Sequence, residues 1–229
     1  MSDGKKYRNL VQQLDRTKLY EISEACDFFR QVKSNFNETI DVAICLSKAL
    51  KQSEQSIKGS VIYPYGLGKK VKIAAIVRGD LAEEARKAGA DIVGEEELCK
   101  KIENGFLDFD KLITTPDLML MVGKLGKILG PKGLMPNAKL GTVTLDISKA
   151  IQEIKSGRVE FKIDKGNIIH APIGLLSFSE DQLKENICQL MSIIIKLRPL
   201  SLKGDYIRKV FLSSTMSPSI KLNVSQFIK

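Results

Sequence analysis

Residues 71–94 read VKIAAIVRGDLAEEARKAGADIVG, and the order of residue types in them decides the fold. Val71–Val77 is a nearly continuous apolar run, the pattern of a strand buried on both faces. Arg78 and Gly79 break it. Asp80 then opens a predicted helix as its N-cap, with Glu83 three residues on and Gly89 as terminator. Ala90–Gly94 reads as a second short strand. Strand and helix alternating over short connections build a parallel sheet.

Further along, EEELCKKIENG (95–105) predicts a second helix, with acids at its start and lysines near its end, matched to the helix dipole. KLITTPDLML (111–120) predicts a third strand and a helix begun by Thr115 and Pro116. DISKAIQEIKSG (146–157) predicts another helix, ending at Gly157. Residues 68–157 are therefore expected to form a Rossmann-like three-layer α/β domain.

The two ends of the chain follow another style. Ala25, Phe28, Phe29 and Val32 mark the apolar face of a helix capped by Ser23. Ile40, Val42, Ile44 and Leu46 alternate along one face of a strand. VEFKID and NIIHAPI predict a strand pair around Lys165–Gly166. Ser179 and Gln182 have capping-box spacing before a long helix with Leu183, Ile187, Leu190, Ile194 and Leu197 on its apolar face. YIRKVFLSST and SIKLNV alternate like strands. Residues 1–67 and 158–229 are thus expected to form one discontinuous α+β domain around the insertion 68–157, with hinges at Gly66, Gly68 and Gly157.

Charge narrows the partner. The 229 residues carry a net +9, a balance that favours a polyanion. Residues 68–157 hold 15 Lys+Arg against 13 Asp+Glu, and the flanking pieces 21 against 14, so most of the excess belongs to the terminal domain. Cys26, Cys45, Cys99 and Cys188 form no CxxC pair, which argues against zinc and a disulfide framework and for a reducing compartment. The N-terminus has no apolar secretory core, and the apolar streak at Ile193–Ile195 is too short to cross a bilayer. A cytosolic protein with no membrane partner is expected.

GKLGKILGPKGLMPNAKLG (123–141) packs five glycines, two prolines and four lysines together with no acid. It is not a nucleotide cradle. The Gly-Lys pairs at 68, 123 and 126 lack the following Ser or Thr that would hold magnesium, and no GxGxxG is present. His170 is the sole histidine, so nothing marks a nucleophilic triad, and no metal or cofactor is expected. Nucleic-acid binding fits better: lysines contact phosphate, and exposed apolar side chains recognise RNA shape. Phe36 and Met216 are the candidates, against the alternative that they fill the core and a turn. A small nucleotide-binding α/β enzyme is the rival reading, favoured only by the insertion's fold.

GKLGKILGPKGLMPNAKLGTV closely resembles the signature of the ribosomal protein L-one family, the stalk proteins of the large subunit. FNETIDVAI, GSVIYPYGLGKKVKIA, AGADIVGEEEL, FDKLITTPDLM, SGRVEFKIDKGNIIHAPIG and LSSTMSP also resemble family segments, in the family's order. The resemblance covers essentially the whole chain and implies a bacterial-type member with the same interrupted two-domain plan. It implies no catalysis and a first domain that binds stalk rRNA, so that the mobile stalk guides deacylated tRNA from the exit site. It further implies binding and repression of the protein's own mRNA, and a monomer off the ribosome.

Carried over by position, the rRNA contacts fall on Phe36 and on the turn Thr215, Met216 and Ser217. Thr39, Asp41, Lys162, Asp164, Lys165 and His170 follow as further contacts. Lys124, Lys127, Lys132 and Lys139 are implied to face tRNA or neighbouring rRNA. This sequence departs from the family pattern at Ser217 (usually glycine), Leu175 (usually lysine) and Tyr65 (commonly histidine). A glycine at 217 suggests a positive φ or a bare backbone against ribose, which serine would oppose.

Overall fold

The computed structural model describes residues 4–31, 36–47, 57–199, 202 and 204–227. The chain starts with α1 (Lys5–Gln13), α2 (Ile22–Arg30), β1 (Thr39–Leu46) and β2 (Lys58–Ile62). Next come β3 (Ile73–Ile76), α3 (Asp80–Ala88), β4 (Ile92–Gly94), α4 (Glu96–Glu103), β5 (Lys111–Thr114), α5 (Met119–Lys124), α6 (Gly126–Leu129) and α7 (Ile147–Lys155). It finishes with β6 (Arg158–Lys162), β7 (Ile168–Leu175), α8 (Glu180–Lys196), β8 (Ile207–Ser214) and β9 (Ile220–Leu222). These elements form two compact units, Met1–Gly68 with Val159–Lys229, and Lys69–Arg158. The fold is a two-domain mixture of α+β and α/β.

In the second unit β3 is the centre of a parallel sheet ordered β4-β3-β5. Every residue of β3 is buried, as its unbroken apolar run requires. Ala74 and Ile76 face a cluster built by α4, α5 and α6, with Leu98, Ile102, Val122 and Leu129. Ile73, Ala75 and Val77 face the opposite cluster, with Ala85 of α3 and Ile147, Ala150 and Ile154 of α7. Helices on both faces make the three layers. Gly89 ends α3 at φ +92, a left-handed turn that glycine adopts without strain.

In the first unit a four-stranded sheet runs β7-β1-β8-β9, with β1 antiparallel to both neighbours. Ile40, Val42, Ile44 and Leu46 point into one core with Phe29 of α2 and with Leu183, Ile187, Leu190 and Ile194 of α8. Ser179 closes the start of α8 by the expected capping box, accepting from Gln182 N–H at 3.3 Å while Ser179 N–H donates to Gln182 Oε1 at 2.9 Å.

Several local expectations are corrected. The cap of α2 is Glu21, not Ser23, because Glu24 reaches back to the Glu21 N–H at 3.2 Å and Ile22 is already in the core. Val32 lies outside the described residues. Asp80 is the first residue of α3, and Gly79 holds the cap position at φ +60. Thr115 precedes a turn that Pro116 opens, so α5 starts only at Met119. Leu197 sits past the end of α8 and is exposed. The strand VEFKI pairs with β2 rather than forming a full hairpin with β7; one bridge, Ile163–Ile169, joins it to β7. The stretch 123–141 is partly helical: Val122, Leu125 and Leu129 fall at helical spacing and are buried, which carries α5 and α6 into it.

Candidate nucleic-acid interface

The turn after β8 is held from beneath by a buried carboxylate. Glu38 is fully buried just before β1. Its Oε2 accepts the Ser214 hydroxyl at 2.5 Å and the Met216 N–H at 3.1 Å. Ser214 and Ser217 exchange a short hydroxyl contact, and Ser217 N–H donates to the Ser214 carbonyl at 3.3 Å, closing the turn. Thr215 Oγ1 donates to the Thr39 carbonyl at 3.4 Å, which ties the turn to β1. Burying a carboxylate is costly unless donors replace water; here Oε2 takes both donors, while Oε1 is buried with no hydrogen-bond partner among the described residues.

The frame presents two apolar side chains to solvent. Met216 is 59% exposed and Phe36, two residues before Glu38, is 53% exposed. Neither fills the core. Asn37 holds the Phe36 segment through Ser177, donating to its hydroxyl at 2.8 Å and accepting from its N–H at 3.2 Å. Buried Glu38 is thus two residues from exposed Phe36 in the chain and hydrogen-bonded to the backbone of exposed Met216.

Ser217 is buried, and its φ is not positive; Asn167 is the one non-glycine residue with positive φ among the described residues. The expectation of a left-handed backbone at 217 is therefore corrected. The hydroxyl points inward, where it braces Ser214.

The sheet register places the remaining candidates. Asp41 is exposed on the outer face of β1, between Pro172 of β7 and Ser213 of β8. The next row reads His170, Ala43, Phe211, Lys221 across β7, β1, β8 and β9. Asp164 Oδ1 accepts from Gly166 N–H and Ile168 N–H, both at 2.8 Å, and so shapes the turn that exposes Lys165. His170 Nε2 stands 3.9 Å from Asp164 Oδ2. Thr39, Asp41, Asp164, Lys165 and His170 are thereby gathered on one sheet and its turns. Lys162 is exposed at the end of β6, in the separate β2–β6 pair.

Lys124, Lys127 and Lys132 are exposed on the second unit. The side chain of Lys139 is outside what is described. Gly66, Gly68 and Gly157 all have positive φ, +62, +71 and +99. At Gly68 a side chain would also meet Leu175 Cδ1 at 2.8 Å and Phe178 Cε1 at 2.9 Å, so that position needs glycine for space as well.

Comparison with known proteins gives the family. The model of the "Ribosomal protein L1p/L10e family" matches residues 27–218, spanning Phe36, both crossings between units and the Thr215–Ser217 turn. The chain belongs to that family. It is 47% identical over 227 residues to the "Large ribosomal subunit protein uL1" of Solidesulfovibrio magneticus, covering 99% of this chain and 97% of that one. To the protein of the same name from Nitratidesulfovibrio vulgaris strain DP4 it is 47% identical over 230 residues, 99% and 98% of the two chains. A member of this family is a structural constituent of the ribosome and not an enzyme, and it resides with the ribosome in the cytoplasm.

Two features of the L1p/L10e surface were missed in the sequence. Glu38 read as one polar residue in FNETI, and nothing local says that its carboxylate is buried. Lys209, Phe211 and Ser213 share the outer face with Asp41, and the alternation of YIRKVFLSST already carried that signal.

Proposed function

We propose that this family member is a constituent of the large ribosomal subunit whose first domain grips the stalk region of the rRNA through Phe36 and the Thr215–Ser217 turn. Met216 and Phe36 supply apolar contact to RNA shape, Thr215 a hydroxyl for ribose or base, and the surrounding lysines neutralise phosphate. Thr39, Asp41, Lys162, Asp164, Lys165 and His170 extend that footprint. The observation that carries the reading is the exposed Met216 on a turn held by buried Glu38.

The second domain swings about Gly66, Gly68 and Gly157 and brings Lys124, Lys127, Lys132 and Lys139 to exit-site tRNA or neighbouring rRNA, assisting release of deacylated tRNA. The resemblance to the stalk proteins supports this step, as it supports repression of the protein's own mRNA and a monomeric free state. The test is binding of a stalk rRNA fragment. Met216→Asp and Phe36→Asp are expected to abolish binding with the fold intact by circular dichroism; wild-type affinity in both variants refutes the site.

A further inference from the structure

We propose that a cleft of about 260 Å³ on the first domain takes one unpaired nucleotide of the RNA held by the Thr215–Ser217 turn. The proposal rests on the rRNA reading above and adds a pocket to it. The cleft opens where α1 and the segment Leu14–Tyr20 lie beside β8 and β9. Tyr7, Tyr20 and Phe211 give it aromatic walls, and Arg16, Lys18 and Lys221 bring positive charge to it. Aromatic faces for a base beside cations for its phosphate are the two components of single-stranded nucleic-acid sites.

The walls are fixed before any ligand arrives. Tyr20 N–H donates to the Lys221 carbonyl at 3.0 Å, and Asn223 N–H donates to the Tyr20 carbonyl at 3.0 Å. Asp15 N–H donates to the Tyr20 hydroxyl at 3.1 Å. The Lys18 ammonium lies 4.9 Å from the Tyr20 ring centroid while pairing with Glu24 at 2.7 Å. Asp15 lines the cleft too, but its carboxylate is taken up in the turn, accepting the Thr17 N–H at 2.8 Å and hydroxyl at 2.6 Å. With Lys18 paired to Glu24, Arg16 and Lys221 stand against the one carboxylate of Asp15 and leave the lining positive.

Continuity with the proposed grip identifies the occupant. Pro218 and Ser219 line the cleft and directly follow Ser217. Phe211 and Lys221 are also the β8 and β9 members of the outer-face row that begins at His170. A strand seated on Met216 therefore meets the cleft as its next surface.

The experiment titrates the full chain with a stalk rRNA fragment over a range of salt. Tyr7→Ala is expected to weaken binding at least about fivefold, the loss of one stacked base. Arg16→Ala and Lys221→Ala are each expected to lower the slope of log affinity against log salt by about one. Arg16 is exposed, so its variant stays informative if Tyr7→Ala fails to fold. Wild-type affinity and slope in all three, with Met216→Asp still abolishing binding, overturns the cleft and leaves the grip standing. A wild-type chain that does not bind the fragment overturns both.

Discussion

Glu38 Oε2 accepts the backbone N–H of Met216 at 3.1 Å, joining residues 178 apart in sequence. The same oxygen takes the Ser214 hydroxyl, so the carboxylate sets both the shape of the turn and the outward course of Met216. Removing it takes the acceptor from the part-buried Met216 N–H and from the Ser214 hydroxyl, which keeps only Ser217, at a cost of about 1–3 kcal/mol. Glu38→Ala is expected to lose that much stability in urea unfolding and to weaken stalk RNA binding, although Met216 and Phe36 remain. Glu38→Gln, which keeps an acceptor without the charge, should fall between. An alanine variant with wild-type affinity would show that the turn needs no such support.

Ser217 gives the second prediction. Replacing it by glycine deletes the buried hydroxyl that meets Ser214. Because the backbone at 217 is not left-handed, glycine relieves no strain there and adds freedom to the unfolded chain. Ser217→Gly should lower stability by about 1 kcal/mol without raising RNA affinity. Tighter binding by the glycine variant would mean that the serine side chain obstructs the RNA.

What was legible in the sequence was mostly periodic. The run Val71–Val77 announced a doubly covered strand, and the alternation Ile40 to Leu46 a strand with one face in the core; both follow from apolar spacing alone. Long-range polar contacts were not legible. Asn186 interrupts the apolar face of α8, yet it is fully buried and donates to the Ile173 carbonyl at 2.8 Å and the Gly66 carbonyl at 3.2 Å. Its partners lie on two other segments, as those of Glu38 do, and no local pattern names them. The pairing of β6 with β2 was hidden for the same reason: turn chemistry at Asp164–Asn167 suggested a hairpin, while the partner strand lay before the insertion.

Cys26 predicts an alkaline weakness. It is buried in α2, and that burial pushes its thiol from an ordinary 9.0 up to about 11. The unfolded chain loses this proton above pH 9 while the folded chain keeps it to about 11. In that window the unfolded state binds fewer protons, so stability falls as pH rises. The contribution is whole below pH 9 and lost by about pH 11, on the order of 2 kcal/mol. Urea unfolding at steps across this range should show a steeper decline in wild type than in Cys26→Ala. Parallel curves for the two proteins would remove the thiol from the account.

The division of labour between the domains can be tested by deletion. Each unit has its own buried clusters: Phe29, Ile44, Leu190 and their neighbours in the first, the two faces of β3 in the second. Glu38, Ser214, Met216 and the outer sheet face all belong to the first unit. Replacing residues 69–157 by a short flexible linker should therefore preserve cooperative unfolding of the remainder and most of its affinity for the stalk rRNA fragment. The reciprocal fragment, residues 69–158 alone, should bind that RNA only weakly and lose the interaction as salt is raised, since it brings exposed lysines but no braced turn. If instead the linker protein folds and fails to bind, the grip resides in Lys124, Lys127 and Lys132, and Phe36 and Met216 are exposed for another reason.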